Sequence, residues 1–174
     1  DTVQVSYRVP FPEVVIKLTS HASLDVIHTQ LLEVLSPNVF SQKGETFLEW
    51  VTHVLKELQI TVALAESCTG GLLASLLASL PGASAYLIEG RVTYSNESKR
   101  RLGVSSETLD QYGAVSEPVV KEMSTCIKKL TGACVGVAIS GIAGPDGAMP
   151  GKPVGTVCFG FAFEGRTITE TVCF

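Results

Sequence analysis

The sequence predicts an α/β fold: a three-layer α/β/α arrangement with a mixed sheet, preceded by a small β-β-α-β unit. Two observations carry this prediction. Beyond residue 43, short apolar runs typical of strands alternate with segments of helical periodicity. Before it, two stretches of alternating polarity are followed by one amphipathic helix. An apolar content of 45% over 174 residues is enough for a substantial core.

The small unit is expected to cover residues 1–42. Apolar residues alternate with polar ones from Val3 to Val9 and again from Val14 to Leu18, which indicates two strands around a Pro10-Phe11-Pro12 break. Apolar residues at helical spacing then predict a helix over 24–35, and a short extended piece follows at 38–41. We expect the domain boundary at Gln42 to Gly44.

The larger domain, residues 43–174, is predicted to begin with a helix and then to interleave strands and helices. The first helix is expected to start at the 42–44 boundary, with inward-facing apolar residues from Phe47 to Leu58. The later elements are expected as strand 60–65, helix 70–80, strand 85–93, short helices near 96–101 and 106–111, helix 117–130, strand 134–140, a Gly/Pro-rich loop 141–153, and strands 156–163 and 167–174. The last two strands flank a Glu164-Gly165 turn, which indicates a hairpin.

Composition and charge limit the classes of molecule that this chain is expected to bind. The formal net charge is -4, and no basic stripe extends beyond Lys99-Arg100-Arg101, which argues against nucleic acid or an anionic membrane surface. The five cysteines fit no metal or disulfide spacing, so we expect a reducing, cytoplasmic setting. No apolar run reaches membrane-spanning length. Because the chain starts at Asp1 instead of Met, we expect a fragment of a longer protein.

A candidate nucleophile follows the strand at 60–65. Ser67 lies at the start of a predicted helix, where backbone N–H groups without helical acceptors point outward. Gly70 and Gly71 remove side chains next to those N–H groups and permit close approach of a ligand. A serine in this position is ordinarily a helix N-cap, and capping alone is the alternative interpretation.

The base that a serine nucleophile needs is not an evident histidine. None of His21, His28 and His53 is placed convincingly, and their spacing matches no metal motif. Lys99 is the candidate base, provided that burial or like charge from Arg100 and its neighbour lowers the lysine pKa. A solvated basic turn is the alternative.

A Gly-rich segment, 140–147, directly follows the strand at 134–140. Backbone N–H groups of such loops hold phosphate or close over a ligand. The segment is neither a Walker loop nor a dinucleotide Gly-x-Gly-x-x-Gly motif. A turn-rich connection without a ligand is the alternative.

Five ordered motifs resemble the C-terminal domain of CinA, the competence/damage-inducible protein family. They are Ala65–Gly71 (AESCTGG), Val92–Lys99 (VTYSNESK), Gly113–Glu117 (GAVSE), Ser140–Pro145 (SGIAGP) and Lys152–Thr156 (KPVGT). Residues 1–42 are similar to the end of the CinA middle domain through Tyr7–Glu13 and Lys17–Thr19. The resemblance implies that relatives continue beyond the last strand into a final helix, and we expect this sequence to stop before it.

The resemblance implies an activity and a set of site residues. Stand-alone family members are nicotinamide mononucleotide deamidases of pyridine nucleotide salvage and NAD metabolism, and they use no metal or cofactor. The resemblance implies a catalytic set of Ser67, Tyr94 and Lys99. It implies a substrate-binding set of Thr69, Gly70, Gly71, Asn96, Ser140, Gly141 and Gly144.

Two function classes follow from these observations. The first is an amidohydrolase whose Ser67 nucleophile and Lys99 base deamidate nicotinamide mononucleotide to nicotinate mononucleotide and ammonia. The second is a catalytically silent nucleotide-binding or assembly module of a CinA protein. We expect a small pyridine nucleotide as the ligand and a homo-oligomer as the assembly.

Overall fold

Strands and helices alternate through most of the chain in the computed structural model, which describes residues 2–10 and 12–174. Phe11, part of the predicted break between the first two strands, lies outside the described residues. The described elements, in chain order, are β1 Gln4–Arg8, β2 Val15–Thr19, α1 Asp25–Leu35, α2 Phe47–Glu57, β3 Val62–Glu66, α3 Leu72–Ala78, a 3₁₀ turn Ala83–Ala85, β4 Leu87–Val92, α4 Asn96–Leu102, α5 Ser106–Tyr112, α6 Glu117–Thr131, β5 Val135–Gly141, β6 Thr156–Phe163 and β7 Arg166–Cys173.

Contacts divide the chain into two compact units, Asp1–His53 and Val54–Phe174. The division falls inside α2, later than the boundary that the sequence predicts at Gln42 to Gly44, and that domain boundary stays a prediction. In the first unit β1 and β2 pair antiparallel, with Tyr7 opposite Ile16.

The β-β-α-β prediction for the small unit is wrong in its last element. Residues 38–41 form no strand, and the two-stranded sheet described here contains β1 and β2 alone. The physical reason is side-chain packing: the ring of Phe40 lies 5.4 Å from that of Phe47 and 6.0 Å from that of Trp50. An aromatic cluster therefore holds this segment, with no strand partner needed.

The second unit is built on a five-stranded sheet of order β4-β3-β5-β6-β7. Strands β4, β3 and β5 run parallel, while β6 and β7 are antiparallel to their neighbours. The mixed sheet and the α/β class are thus confirmed. All five residues of the central β3 are buried, which is why its sequence reads as an apolar run without alternation.

Helices cover both faces of this sheet. On one face α6 packs against Ala63, Ala65 and Ala138 in the main core, together with residues of α4 and α5. On the other face lies α3, whose first turn meets the side chain of Glu66. Since neighbouring strand residues face opposite ways, Ala65 and Glu66 mark the two sides. The carboxyl ends of β4, β3 and β5 meet at one edge, where the candidate site lies.

Candidate active site

Ser67 follows directly after the central strand β3. Its N–H donates to the Ile139 carbonyl of β5 at 2.9 Å, so the strand pairing extends as far as the nucleophile. The residue is only 7% exposed. Helix α3 starts at Leu72, later than the sequence predicts, because Gly70 and Gly71 take positive φ angles of 60° and 98° that open a turn.

Lys99 reaches Ser67 from the following strand–helix unit. Helix α4 begins after Ser95, whose side chain accepts the Ser98 N–H and so caps the helix. Lys99 lies one turn into this helix and is 1% exposed. Its Nζ lies 3.1 Å from the Ser67 Oγ, a buried contact between residues thirty-two positions apart.

Two backbone carbonyls fix the lysine amine. Nζ donates to the Thr93 carbonyl at 2.8 Å and to the Tyr94 carbonyl at 3.2 Å. A neutral amine has two N–H donors and one lone pair. With both donors engaged by the carbonyls, the lone pair is left for the Ser67 hydroxyl, which is the arrangement that a general base requires.

Burial is what favours the neutral amine. Removal from water lowers the pKa of Lys99 below its ordinary value, and a charged Cys68 thiolate would act in the opposite direction. Like charge was the other expected cause, but Arg100 and Arg101 both turn to the Glu97 carboxylate, at 3.7 Å and 3.2 Å. The alternative of a solvated basic turn applies to the two arginines and not to Lys99.

The loop between β3 and α3 has polar groups without partners in the described part of the chain. The Gly70 N–H donates to the Ser67 carbonyl, so it is unavailable to a ligand, whereas the Gly71 N–H has no acceptor there. Thr69 Oγ1 is the buried side-chain polar atom of the described residues that lacks a hydrogen-bond partner. Buried polar groups are rarely left unpaired, so a ligand is the natural partner for this hydroxyl.

A cysteine thiol separates the loop from β5. A Cβ at Gly141 would lie 2.9 Å from the Cys68 sulfur, so only glycine allows this contact. Burial raises the pKa of the Cys68 thiol, which therefore stays protonated at neutral pH. Cys68 packs beside the nucleophile as a small apolar group.

Ser140 and Lys152 tie neighbouring loops together. The buried Ser140 hydroxyl donates to the Ala114 carbonyl at 2.8 Å, while Lys152 Nζ donates to the Tyr112 and Val115 carbonyls at 2.9 Å and 2.7 Å. Both side chains hold the segment between α5 and α6. The Ser140 oxygen can still accept a hydrogen bond from a ligand.

For three predicted site residues, Tyr94, Asn96 and Gly144, the described structure shows no side-chain contact with the Ser67–Lys99 pair, and Gly144 has no side chain to make one. Tyr94 contributes its carbonyl, but its side chain is 71% exposed and its hydroxyl makes no hydrogen bond to the described residues. Asn96 is exposed at the first residue of α4. Gly144 lies in the loop after β5, where a Cβ would meet the Val154 side chain at 2.5 Å.

Two residues of the site, Thr93 and Glu66, were not predicted from the sequence to be functional. Thr93 supplies a carbonyl to Lys99, and a backbone contact of this kind leaves no trace in residue type. Glu66 is 1% exposed, with both carboxylate oxygens bonded to α3. An acidic residue ending an otherwise apolar strand was the signal that could have found it.

The described residues hold neither a metal-binding group nor a membrane-spanning helix. In residues 2–10 and 12–174, no three His, Cys, Asp or Glu side chains come together as a metal-binding group. No helix among those same residues is both long and apolar enough to cross a membrane.

Comparison with known proteins identifies relatives along the whole chain. A "CinA-like protein" of Desulforapulum autotrophicum is 42% identical over 98% of this chain and 45% of its own length. One of Chlorobaculum tepidum is 52% identical over 71% of this chain and 30% of its own length. The chain thus spans less than half the length of these curated relatives.

Solved structures show the same fold. The competence damage-inducible protein A of Klebsiella pneumoniae subsp. pneumoniae has a TM-score of 0.69 at 45% identity, over 71% of this chain and 78% of the other. A CinA superfamily protein of Escherichia coli has a TM-score of 0.70 at 35% identity, over 80% and 85%. The family profile described as the CinA C-terminal domain matches residues 45–174. This chain therefore belongs to the CinA family of competence/damage-inducible proteins, as its motifs predict.

Proposed function

We propose that this chain is an amidohydrolase that converts nicotinamide mononucleotide to nicotinate mononucleotide and ammonia. The single observation that carries the reaction type is the buried 3.1 Å contact between Lys99 Nζ and Ser67 Oγ. The substrate comes from the motif resemblance, because the Ser67–Lys99 geometry supports attack on an acyl group but says nothing about the molecule that bears it. Residues 43–174 are the proposed deamidase domain.

The first half of the reaction forms an acyl-enzyme. Neutral Lys99 takes the Ser67 hydroxyl proton as Oγ attacks the carboxamide carbon, forming a C–O bond and an oxyanion. The free Gly71 N–H and the unpartnered Thr69 hydroxyl are the proposed donors to that oxyanion. The lysine ammonium then returns its proton to the leaving nitrogen, the C–N bond breaks, and ammonia departs.

The second half restores the enzyme. Lys99 is neutral again after ammonia leaves, so it can take a proton from water as the water oxygen attacks the acyl carbon. Collapse of this intermediate breaks the ester bond to Ser67, which regains a proton from the lysine, and releases the carboxylate product. The positively charged pyridinium ring of the substrate withdraws electrons from the carbonyl carbon and favours both attacks.

The remaining expectations about cell biology are part of the proposal. All five cysteines are free thiols, which supports a reducing, cytoplasmic setting. A pyridine nucleotide is the proposed small-molecule partner, and a homo-oligomer is the proposed assembly. Residues 1–42 are proposed to be the end of a CinA middle domain.

Ammonia release tests the proposal directly. Purified chain is incubated with nicotinamide mononucleotide, and ammonia and nicotinate mononucleotide are quantified in parallel, with Ser67→Ala as the control and nicotinamide and nicotinamide riboside as substrate controls. We expect equal amounts of both products from wild type, at least 100-fold less from Ser67→Ala, and a clear preference for the mononucleotide. Binding of the mononucleotide without turnover by wild type would instead support the silent module.

A further inference from the structure

Glu66 is a buried charged residue that the proposed mechanism does not use. It immediately precedes Ser67, and both Glu66 and Lys99 are 1% exposed. No other Asp, Glu, Lys or Arg of the described chain is in the buried class. A buried carboxylate is unfavourable unless its oxygens are well bonded, so its partners indicate its task.

Those partners are the first N–H groups of α3. Glu66 Oε2 accepts from the Leu73 N–H at 3.0 Å, and Oε1 accepts from the Ala74 N–H at 2.8 Å. The N-cap of α3 is Gly71, which has no side chain to do this. The Glu66 carboxylate, from the preceding strand, therefore takes the place of an N-cap side chain. Its two hydrogen bonds link the end of β3 to the first turn of α3, across the loop that contains Ser67.

The backbone of the same residue holds the lysine side of the site. The Glu66 carbonyl accepts from the Thr93 N–H at 2.7 Å and from the Thr93 hydroxyl at 3.3 Å. The Thr93 carbonyl in turn accepts from Lys99 Nζ at 2.8 Å. Glu66 thus joins the loop of the nucleophile, through its side chain, to the carbonyl that orients the base, through its main chain.

We propose that Glu66 is a positioning residue whose carboxylate holds the loop 67–71 in the conformation that the reaction needs. The inference rests on the proposed amidohydrolase function. The loop contains the nucleophile, the unpartnered Thr69 hydroxyl and the free Gly71 N–H. Releasing the first turn of α3 would let these groups move relative to Lys99, and catalysis is sensitive to displacements of this order.

The test replaces one oxygen of the Glu66 carboxylate by an NH₂ group. Glu66→Gln has nearly the same volume, but its NH₂ group cannot accept from either backbone N–H, so one of the two bonds is lost. We expect kcat to fall about 10- to 100-fold with KM within about threefold of wild type. Amide hydrogen exchange should become faster at Leu73 and Ala74.

A matched control separates positioning from general stability. The Glu122 carboxylate also accepts a backbone N–H and a hydroxyl, from Ser105 and Thr108 at the start of α5. Glu122→Gln makes the same chemical change there and should keep kcat within about threefold of wild type. Rates are normalised to the fraction of Ser67 that a covalent serine reagent labels, so that unfolded protein does not count.

Each outcome decides the inference. Wild-type kcat per labelled site in Glu66→Gln, or an equal loss in both glutamine variants, overturns it. If Glu66→Gln fails to fold, Glu66→Asp decides, because it keeps the charge but shortens the reach: a reduced kcat per labelled site supports the inference, and an unchanged one overturns it. No ammonia from the wild type overturns the proposed function, and this inference with it.

Discussion

Replacing Lys99 by methionine removes the amine and keeps a buried, unbranched side chain. The change deletes the 3.1 Å contact to the Ser67 Oγ and leaves the Thr93 and Tyr94 carbonyls without their donor. A lost hydrogen bond to a buried group costs about 1–3 kcal/mol. Removing a group whose charged form is disfavoured by burial offsets part of that cost, so we expect the variant to fold.

The activity should fall far more than the stability. A positioned general base contributes roughly 10²- to 10⁴-fold to rate. Because Lys99 Nζ is the group that lies within hydrogen-bond distance of the Ser67 Oγ in the described chain, and is the proposed acceptor of its proton, we expect a loss of kcat in that range. KM should change little, because Lys99 takes the Ser67 proton during the reaction and has no proposed contact with bound substrate.

The assay is ammonia release under saturating substrate, with folding checked by circular dichroism and thermal denaturation. Lys128→Met is a suitable control, because it makes the same chemical change at a lysine that lies in α6 outside the site. A Lys99→Met variant that keeps more than about a tenth of the wild-type kcat would refute the assignment of Lys99 as the base.

Three further predictions follow from the same geometry. First, kcat/KM should rise as the pH rises through the pKa of Lys99, because the protonated amine has no lone pair to act as a base. Burial places this rise at a pH below the ordinary lysine pKa of about 10.4. A value of kcat/KM that falls between about pH 6 and pH 9 would contradict the prediction. Second, Gly141→Ala should lower the free energy of unfolding by about 1–3 kcal/mol in thermal or urea denaturation. The added Cβ would lie 2.9 Å from the Cys68 sulfur, the Thr156 carbonyl oxygen and a Val157 methyl group. An unchanged melting temperature would show that these neighbours leave room for a Cβ. Third, Tyr94→Phe should keep kcat within about threefold, because its carbonyl and not its exposed hydroxyl meets Lys99; a tenfold loss would bring the hydroxyl into the mechanism.

The order of elements in the larger unit was predictable from the sequence. Strand β3 is apolar from Val62 to Ala65 because both of its faces are covered, and α6 has a clear helical period that ends at a glycine. The start of α3 was predicted too early, because Gly70 and Gly71 form a turn there. Residues 38–41 were wrongly assigned as a strand, since extended sequence character does not reveal whether a pairing strand exists.

The candidate site was predictable in its residue types and not in its electrostatics. Ser67 and Lys99 stand in motifs that mark them, but the burial that lowers the lysine pKa arises only when α4 packs against the sheet edge. Burial and like charge from the neighbouring arginines were both candidate causes, because the sequence shows which residues are adjacent and not where their side chains point. The contribution of Thr93 comes from its backbone carbonyl, which no residue pattern encodes, whereas the only sequence signal for Glu66 was an acidic residue at the end of an apolar strand.

The central claim is that Ser67 carries the acyl group during turnover. The direct measurement is mass spectrometry of protein mixed with nicotinamide mononucleotide and quenched in acid within the first turnover, followed by mapping of any adduct to its residue. We expect the mass of the nicotinate mononucleotide acyl group on Ser67, and no such adduct in Ser67→Ala. Full turnover without an adduct there, or an adduct on Cys68 instead, would contradict it.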